Sequence, residues 1–393
     1  MKVLFVSHSA DRGGAELCLV ELVEVLSKRG IDCSCLLPGY GPLSELLDET
    51  DAQVTVVPFK NWVGVNRSAP KRAWSTLRNL RTVLPVARAI ERTGCDVVYT
   101  NTIATCVGAV AAKLLRVPHV WHIHEYGLED HGLEFDLGDR RSKQLIGWLS
   151  SACIANSQDV ADVYRPHLAG TRLSVVYNSV PVPPLAGPAP MDLPWQHEGS
   201  IRCVMLGALQ PRKGQTDAIQ AVAKLRQMNV PAELLLMGNC SPDYRAEIDG
   251  VIERLNLTDW VHMLGFSSQP MPLVNSADVL LMCSRREAFG RVTVEGMKLG
   301  LPVVGAHSGG TPEIVQHGET GYLYTPGDVK QLATRIADLA QDPETRQRMG
   351  INGRHSANAR FNQERYGTGI EDVLSQVVSE RNPGDRVRKR HAA

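Results

Sequence analysis

The run Arg286-Glu287-Ala288-Phe289-Gly290-Arg291-Val292-Thr293-Val294-Glu295-Gly296 decides how the rest of the chain is read. It follows the apolar stretch 277–283, a short strand by its pattern, and passes through a glycine turn into an amphipathic helix. Two carboxylates, Glu287 and Glu295, therefore stand at either end of one strand-to-helix turn, with Gly290 between them. The first N–H groups of a helix have no internal partner and can hold an anion, while carboxylates beside them grip hydroxyls. An anion next to a polyol describes a nucleotide sugar. Taken alone, the same spacing also fits two solvated surface charges, so the surrounding chain has to decide.

At 393 residues the chain is long enough for two domains with full cores. Lys plus Arg and Asp plus Glu each number 42, so the formal net charge is zero. That balance argues against a nucleic-acid binder and leaves any basic function local. The nine cysteines stand mostly singly in apolar runs, as reduced, buried thiols of a cytoplasmic protein would. Residues 1–7 read as a strand entered at once, too short for the apolar core of a signal peptide. No apolar run reaches the roughly 18 residues of a membrane span. The expectation is a cytoplasmic protein, soluble or peripheral at the inner membrane face.

Working outward, the first half alternates apolar strands at 2–8, 32–37, 54–58, 96–101, 119–124, 152–157 and 174–178 with helical segments. Such alternation means a parallel, doubly wound sheet. Between 180 and 200 come six prolines with little apolar period, the composition of an inter-domain linker, and a second alternating series starts at 201. The expected division is a first domain at 1–182, a Pro-rich linker at 183–199 and a second domain at 200–362, followed by a helix at 363–380 and a basic disordered tail at 381–393. Ligands of doubly wound sheets bind at the carboxyl ends of the strands.

Gly207-Ala208-Leu209-Gln210-Pro211-Arg212-Lys213-Gly214 lies directly between a strand and a helix of the second series. Two adjacent cations there, with glycines that let backbone approach, make a diphosphate cradle, and Gly13-Gly14 offers a further anion-competent loop in the first half. No G-x-G-x-x-G follows the first strand, which disfavours a nicotinamide enzyme. His119, His122 and His124 invite a metal reading, but along a strand His122 and His124 share a face while His119 points away, so no metal is expected.

At this point the chain resembles a known family, the retaining nucleotide-sugar enzymes of glycosyltransferase family 4 (glycosyl transferases group 1). The resemblance rests on Glu287 to Glu295 as an E-x7-E motif, on Gly300-Leu301-Pro302-Val303-Val304 and on Gly309-Gly310-Thr311-Pro312-Glu313. It is extended by residues 175–180, Gly13-Gly14-Ala15-Glu16 and Arg212-Lys213-Gly214. The fold it implies is α/β of GT-B type, two doubly wound Rossmann-like domains facing across a deep cleft, with 1–182 as the acceptor-binding domain, 200–362 as the nucleotide-sugar-binding domain and the helix at 363–380 returning to the first domain. It further implies that Glu295 binds ribose hydroxyls, that Glu287 meets the donor sugar, and that Lys213 holds the diphosphate. Backbone N–H groups of Phe289, Gly290 and Arg291 complete those contacts, Gly13 and Gly14 close over them, and His124 approaches the sugar. The chain departs from the family at Ala208, where an arginine is usual; Arg212 is the candidate replacement.

The resemblance implies a metal-independent transfer with retention, in which Glu287, His124 and Lys213 form the catalytic group and no cofactor is needed beyond the nucleoside-diphosphate sugar donor. The chain lacks the Asp-x-Asp motif of cation-dependent enzymes. A UDP-sugar is favoured over GDP-mannose, and the acceptor is a hydroxyl of a saccharide, a lipid-linked glycan or a small molecule. A nucleotide-sugar epimerase and a non-catalytic nucleotide-sugar-binding protein are the competing readings. Finally, residues 71–84 place Trp74, Leu77, Leu80 and Leu84 on one helical face with Arg72, Arg78 and Arg81 off it. The simplest expectation is that this apolar face packs on the sheet; the alternative is an anionic membrane surface, met by 71–84 and the basic tail.

Overall fold

The computed structural model describes residues 1–182 and 193–381; residues 183–192 of the expected linker and 382–393 of the expected tail lie outside them. The described chain forms two compact units, one of Met1–Ser179 together with the chain from Gln363, the other of Val180–Asn362.

In the first unit seven strands make an all-parallel sheet: β1 (Lys2–Ser7), β2 (Asp32–Leu37), β3 (Gln53–Val56), β5 (Val97–Asn101), β6 (His119–Ile123), β8 (Ala152–Ala155) and β9 (Arg172–Val175). Two short strands, β4 (Val63–Gly64) and β7 (Glu134–Phe135), pair antiparallel to each other. The main order is β3-β2-β1-β5-β6-β8-β9, so it reverses direction between β1 and β5. Strand side chains alternate between faces, and the core divides accordingly. Val3 and Phe5 pack with the helices Gly14–Lys28, Pro42–Asp48 and Gln363–Arg381, whereas Leu4 and Val6 pack with Ala69–Thr93 and Val107–Leu115. The last helix is held to the first by Arg29, whose Nη1 donates to Glu371 Oε2 at 2.8 Å and whose Nη2 donates to Thr368 Oγ1 at 2.9 Å.

The helix Ala69–Thr93 corrects the simplest expectation. Trp74, Leu77, Leu80 and Leu84 are 60, 52, 60 and 63% exposed, while Ser75, Asn79, Val83, Val86 and Ile90 face the core. The reason is a second stripe, offset from the one conspicuous in the sequence. It is made of small and β-branched residues that let the helix pack closely along Val107–Leu115, with Asn79 Oδ1 accepting from Lys60 N at 3.1 Å.

The second unit has six parallel strands, β10 (Ile201–Leu206), β11 (Ala232–Met237), β12 (Val261–Leu264), β13 (Val279–Met282), β14 (Val303–Ala306) and β15 (Gly321–Tyr324), in the order β12-β11-β10-β13-β14-β15. The order reverses between β10 and β13. Entry into this sheet is fixed by Glu233, a fully buried carboxylate on β11 that accepts from Gln196 N (2.7 Å), His197 N (3.0 Å), Ser200 Oγ (2.6 Å) and His262 Nε2 (2.8 Å). Burial alone would raise its pKa; the bonds from Ser200, Gln196, His262 and His197 instead bring it below the usual carboxylate value.

Candidate functional site

The loops after β10 and β13, at the reversal point of the second sheet, carry the residues expected to hold the donor. After β10, Gly207 adopts φ +126°, a conformation other residues rarely hold. Leu209 N donates to Asn239 O at 2.8 Å and Gln215 Nε2 to Ala208 O at 3.3 Å, which pins the loop from two sides. One 3₁₀ turn, Pro211–Lys213, then presents an exposed Arg212 and a partly buried Lys213. A Cβ on Gly214 would stand 2.3 Å from the carbonyl oxygen of Cys283, so the loop after β10 passes directly over the end of β13.

That contact brings Lys213 and Glu287 together. Lys213 Nζ donates to Glu287 Oε2 at 2.7 Å, and Ser284 Oγ donates to the same oxygen at 2.9 Å. The neighbouring Arg285 is built into the same frame: its N–H donates to Arg212 O at 2.8 Å and its Nη2 to Asp217 Oδ1 at 3.1 Å. Burial raises the Asp217 carboxyl, and Arg285 acts in the opposite direction. A third loop, after β14, clasps the backbone. Gly310 N donates to Glu287 O at 2.7 Å and Ser308 Oγ to Arg285 O at 2.7 Å. Gly309 has φ +59°, and a Cβ there would lie 2.2 Å from Glu287 O.

Gly290, at φ +87°, caps the helix Arg291–Leu299. Ala288 and Phe289 are buried under the turn, with the Phe289 ring edge-on to Phe361 at 5.5 Å. The two glutamates therefore differ in placement from the simple reading. Glu287 lies in the loop before the helix, and Glu295 projects, partly buried, from inside the helix rather than from its start.

In the first unit the reversal point lies between β1 and β5, and His124 follows β6 at the same sheet edge. His124 is buried and its Nε2 meets Asn101 Oδ1 at 2.9 Å; Asn101 Nδ2 in turn donates to Ala15 O at 3.0 Å. The helix Gly14–Lys28 starts after Gly13, and Glu16 folds back over that start. Its Oε1 accepts from Ser9 Oγ at 2.7 Å and lies 3.3 Å from His8 Nδ1, while a Cβ on Gly13 would come within 2.5 Å of Oε2. The two histidines of β6 have partners of their own: His119 Nε2 meets Thr100 Oγ1 at 2.8 Å, and His122 Nδ1 meets Tyr99 OH at 2.5 Å. Burial lowers His119 to about 3 and, together with the nearby His124, lowers His122 as well, so both stay neutral.

With this geometry established, two family matches tile most of the chain: Glycosyltransferase Family 4 over residues 12–182 and Glycosyl transferases group 1 over residues 195–356. The chain belongs to glycosyltransferase family 4. Its fold is the two-domain α/β GT-B arrangement of that family. It is similar to the N-acetyl-alpha-D-glucosaminyl L-malate synthase of Bacillus anthracis, 34% identical over 168 residues that span 43% of each chain. It is also similar to the putative glycosyltransferase EpsD of Bacillus subtilis, 26% identical over 77% of this chain and 82% of that one. Among solved structures, Anabaena HepE in complex with UDP aligns over 96% of this chain and all of its own, at 28% identity and a TM-score of 0.76. The matched part thus spans under half of the malate synthase but all of the solved HepE chain.

Seen as a family 4 chain, the second unit brings Lys213, Arg212, Glu287, Phe289, Gly290, Arg291 and Glu295 to one sheet edge, and the first unit brings Gly13, Gly14 and His124 to its own. The sequence reading missed Ser284, Arg285, Asp217 and Asn101. Asn101 was findable, because a polar residue ending an apolar strand at a reversal point has few structural reasons to be there. Ser284 and Asp217 become visible only once the loops are folded together.

Proposed function

We propose that this protein transfers a sugar, with retention and without a metal, from a nucleoside-diphosphate sugar to a hydroxyl acceptor. A UDP-sugar is the favoured donor and GDP-mannose the alternative. The observation that carries the reading is the contact of Lys213 with Glu287 at the reversal point of the second sheet. A cation and a carboxylate held there suit a ligand with a diphosphate at one end and hydroxyls at the other. The UDP bound to the related Anabaena chain supports uridine as the base.

The chemistry follows from charge. Breaking the bond from the anomeric carbon to the β-phosphate oxygen leaves an oxocarbenium-like sugar and a departing diphosphate, so the main requirement is to stabilise negative charge on the leaving group. Lys213, Arg212 and the N-terminus of the helix Arg291–Leu299 supply positive charge for that purpose. The acceptor oxygen forms the new bond to the anomeric carbon, and its proton passes to the leaving phosphate. Glu287 hydrogen-bonds sugar hydroxyls, Glu295 the ribose, and His124, oriented by Asn101, meets the sugar. The acceptor is a hydroxyl of a saccharide, a lipid-linked glycan or a small molecule, and a lipid-linked one places the enzyme at a membrane face.

Incubation with a panel of nucleotide sugars, with and without acceptor hydroxyls, tests this. Nucleotide release accompanied by a product of unchanged anomeric configuration is expected. Release with an epimerised free sugar would instead indicate the epimerase, and silence from every donor the binding protein.

A further inference from the structure

His124 leaves the carboxyl end of β6 between two asparagines. Asn101 ends β5 on one side of it and Asn156 follows β8 on the other, and all three residues are buried. The two amides hold different parts of the histidine. Asn101 Oδ1 lies 2.9 Å from His124 Nε2, whereas Asn156 Nδ2 donates to the His124 carbonyl oxygen at 3.0 Å. One amide therefore holds the ring, and the other holds the backbone that carries it.

The direction of the ring contact follows from the other end of the Asn101 amide. Nδ2 lies 3.0 Å from Ala15 O, and a carbonyl oxygen only accepts, so the NH2 group must face Ala15 and the amide oxygen must face the imidazole. That oxygen cannot donate either. The proton between it and the ring is therefore carried by His124 Nε2, and in the neutral imidazole the lone pair then resides on Nδ1. A ring turned over would set a carbon against the amide oxygen and forfeit the bond. The His122 ring, its centre 3.8 Å from that of His124, also opposes such a turn.

The turn after Asn101 is held as closely. Thr102 has φ +83°, a conformation that strains a β-branched residue. Thr102 N donates to His122 O at 2.9 Å, Trp121 Nε1 donates to Thr102 O at 2.8 Å, and Ile103 N donates to Glu125 Oε1 at 3.0 Å. Strain of this kind persists only where the surroundings over-determine it. Here the restraining bonds come from residues 121–125, the same stretch that carries His124.

We infer that Asn101 and Asn156 are positioning residues for His124: Asn101 fixes the ring with its proton on Nε2, Asn156 fixes the backbone, and Nδ1 is left as the nitrogen that accepts from a ligand hydroxyl. With the ring neutral, a contact through Nδ1 selects a group that can donate, a hydroxyl, over phosphate and carboxylate oxygens that only accept. The tautomer stands on the first unit alone; a sugar as the source of that hydroxyl rests on the glycosyltransferase reading given above.

Nitrogen NMR of the full chain with isotope-labelled histidine reads the tautomer without any ligand, the His124 signals being those missing from His124→Phe. At about pH 8.5, above the ordinary histidine range, a protonated Nε2 and an unprotonated Nδ1 are expected. Asn101→Leu should give mixed tautomers. Asn101→Asp retains the acceptor and Asn156→Leu leaves the ring bond intact, so both should keep the proton on Nε2. In UDP release from UDP-glucose, Asn101→Leu and Asn156→Leu are expected to lower kcat about tenfold or more while KM changes less than about threefold. A proton on Nδ1 in the wild type overturns the inference, and so does an Nε2 proton that Asn101→Leu leaves undisturbed or a wild-type kcat in Asn101→Leu and Asn156→Leu. Should Asn101→Leu fail to fold, the spectra of the wild type and of Asn101→Asp still decide the tautomer. The expected tautomers without UDP release would count against the glycosyltransferase reading and leave the assignment of the ring proton intact.

Discussion

Lys213 Nζ and Glu287 Oε2 stand 2.7 Å apart although their residues are 74 positions apart and follow different strands. Each neutralises the other at a partly buried spot, and Ser284 holds the same carboxylate oxygen. On the proposed function, a diphosphate arriving at Lys213 would compete with Glu287 for the ammonium and release the carboxylate to accept sugar hydroxyls, so that the pair serves as a charge placeholder for the donor. Lys213→Ala is expected to lower turnover by about 10²–10³-fold. Adding Glu287→Gln should cost much less than the product of the two single effects, because both act on one bound ligand. Steady-state kinetics on the two single variants and the double variant reads this directly.

The glycines beneath the site make a steric prediction. A Cβ on Gly309 would meet Glu287 O at 2.2 Å in a left-handed backbone, so Gly309→Ala must push the Glu287 loop away. A loss of about 1–3 kcal/mol in unfolding free energy is expected, together with loss of donor affinity. Gly265, with nothing within 4 Å of an added Cβ and no positive φ, is the control; Gly265→Ala should melt like the wild type. Chemical denaturation of both variants decides the point.

Glu125, buried beside His124, accepts from Ile103 N at 3.0 Å. Burial chiefly, with Asp130 adding to it, pushes its carboxyl up to about 8. The folded protein therefore keeps a proton that the unfolded chain releases above about 4.5. Stability from this group is largest below that value and declines as pH rises toward and past 8. Glu125→Gln should flatten the melting temperature across this interval, as thermal melts at successive pH values would show.

Glu233 predicts the opposite slope. Its carboxyl lies below the usual value, so its stabilisation is present above about 4.5 and is lost as pH falls below that. Glu233→Ala leaves the Gln196 and His197 N–H groups and the Ser200 hydroxyl without their acceptor, at a cost of about 1–3 kcal/mol or more. Denaturant midpoints at successive pH values from 7 downward should show the gap between wild type and variant narrowing once the pH falls below about 4.5.

The two alternating series were legible in the sequence because parallel strands buried on both faces read as unbroken apolar runs, as in β1 and β11. The turn around Glu287 was legible too, since Gly290 between an apolar strand and an amphipathic run marks the start of a helix. The Ala69–Thr93 helix was misread because its conspicuous stripe of Trp and Leu is the exposed one, and the packed stripe of Ser75, Asn79, Val83 and Ala87 carries little hydrophobic signal. The partners Ser284 and Asp217 were not legible. A short polar residue acquires its role only when loops distant in sequence converge, and no periodicity records that.

The proposed function has Lys213 hold the diphosphate of a nucleotide-sugar donor at the reversal point of the second sheet. Titration calorimetry of UDP into the wild-type protein and into Lys213→Ala measures this. Saturable binding to the wild type is expected, weakened about tenfold or more in a variant whose melting curve is unchanged, as follows from one lost charge-assisted bond. Equal affinity in the two proteins would contradict it.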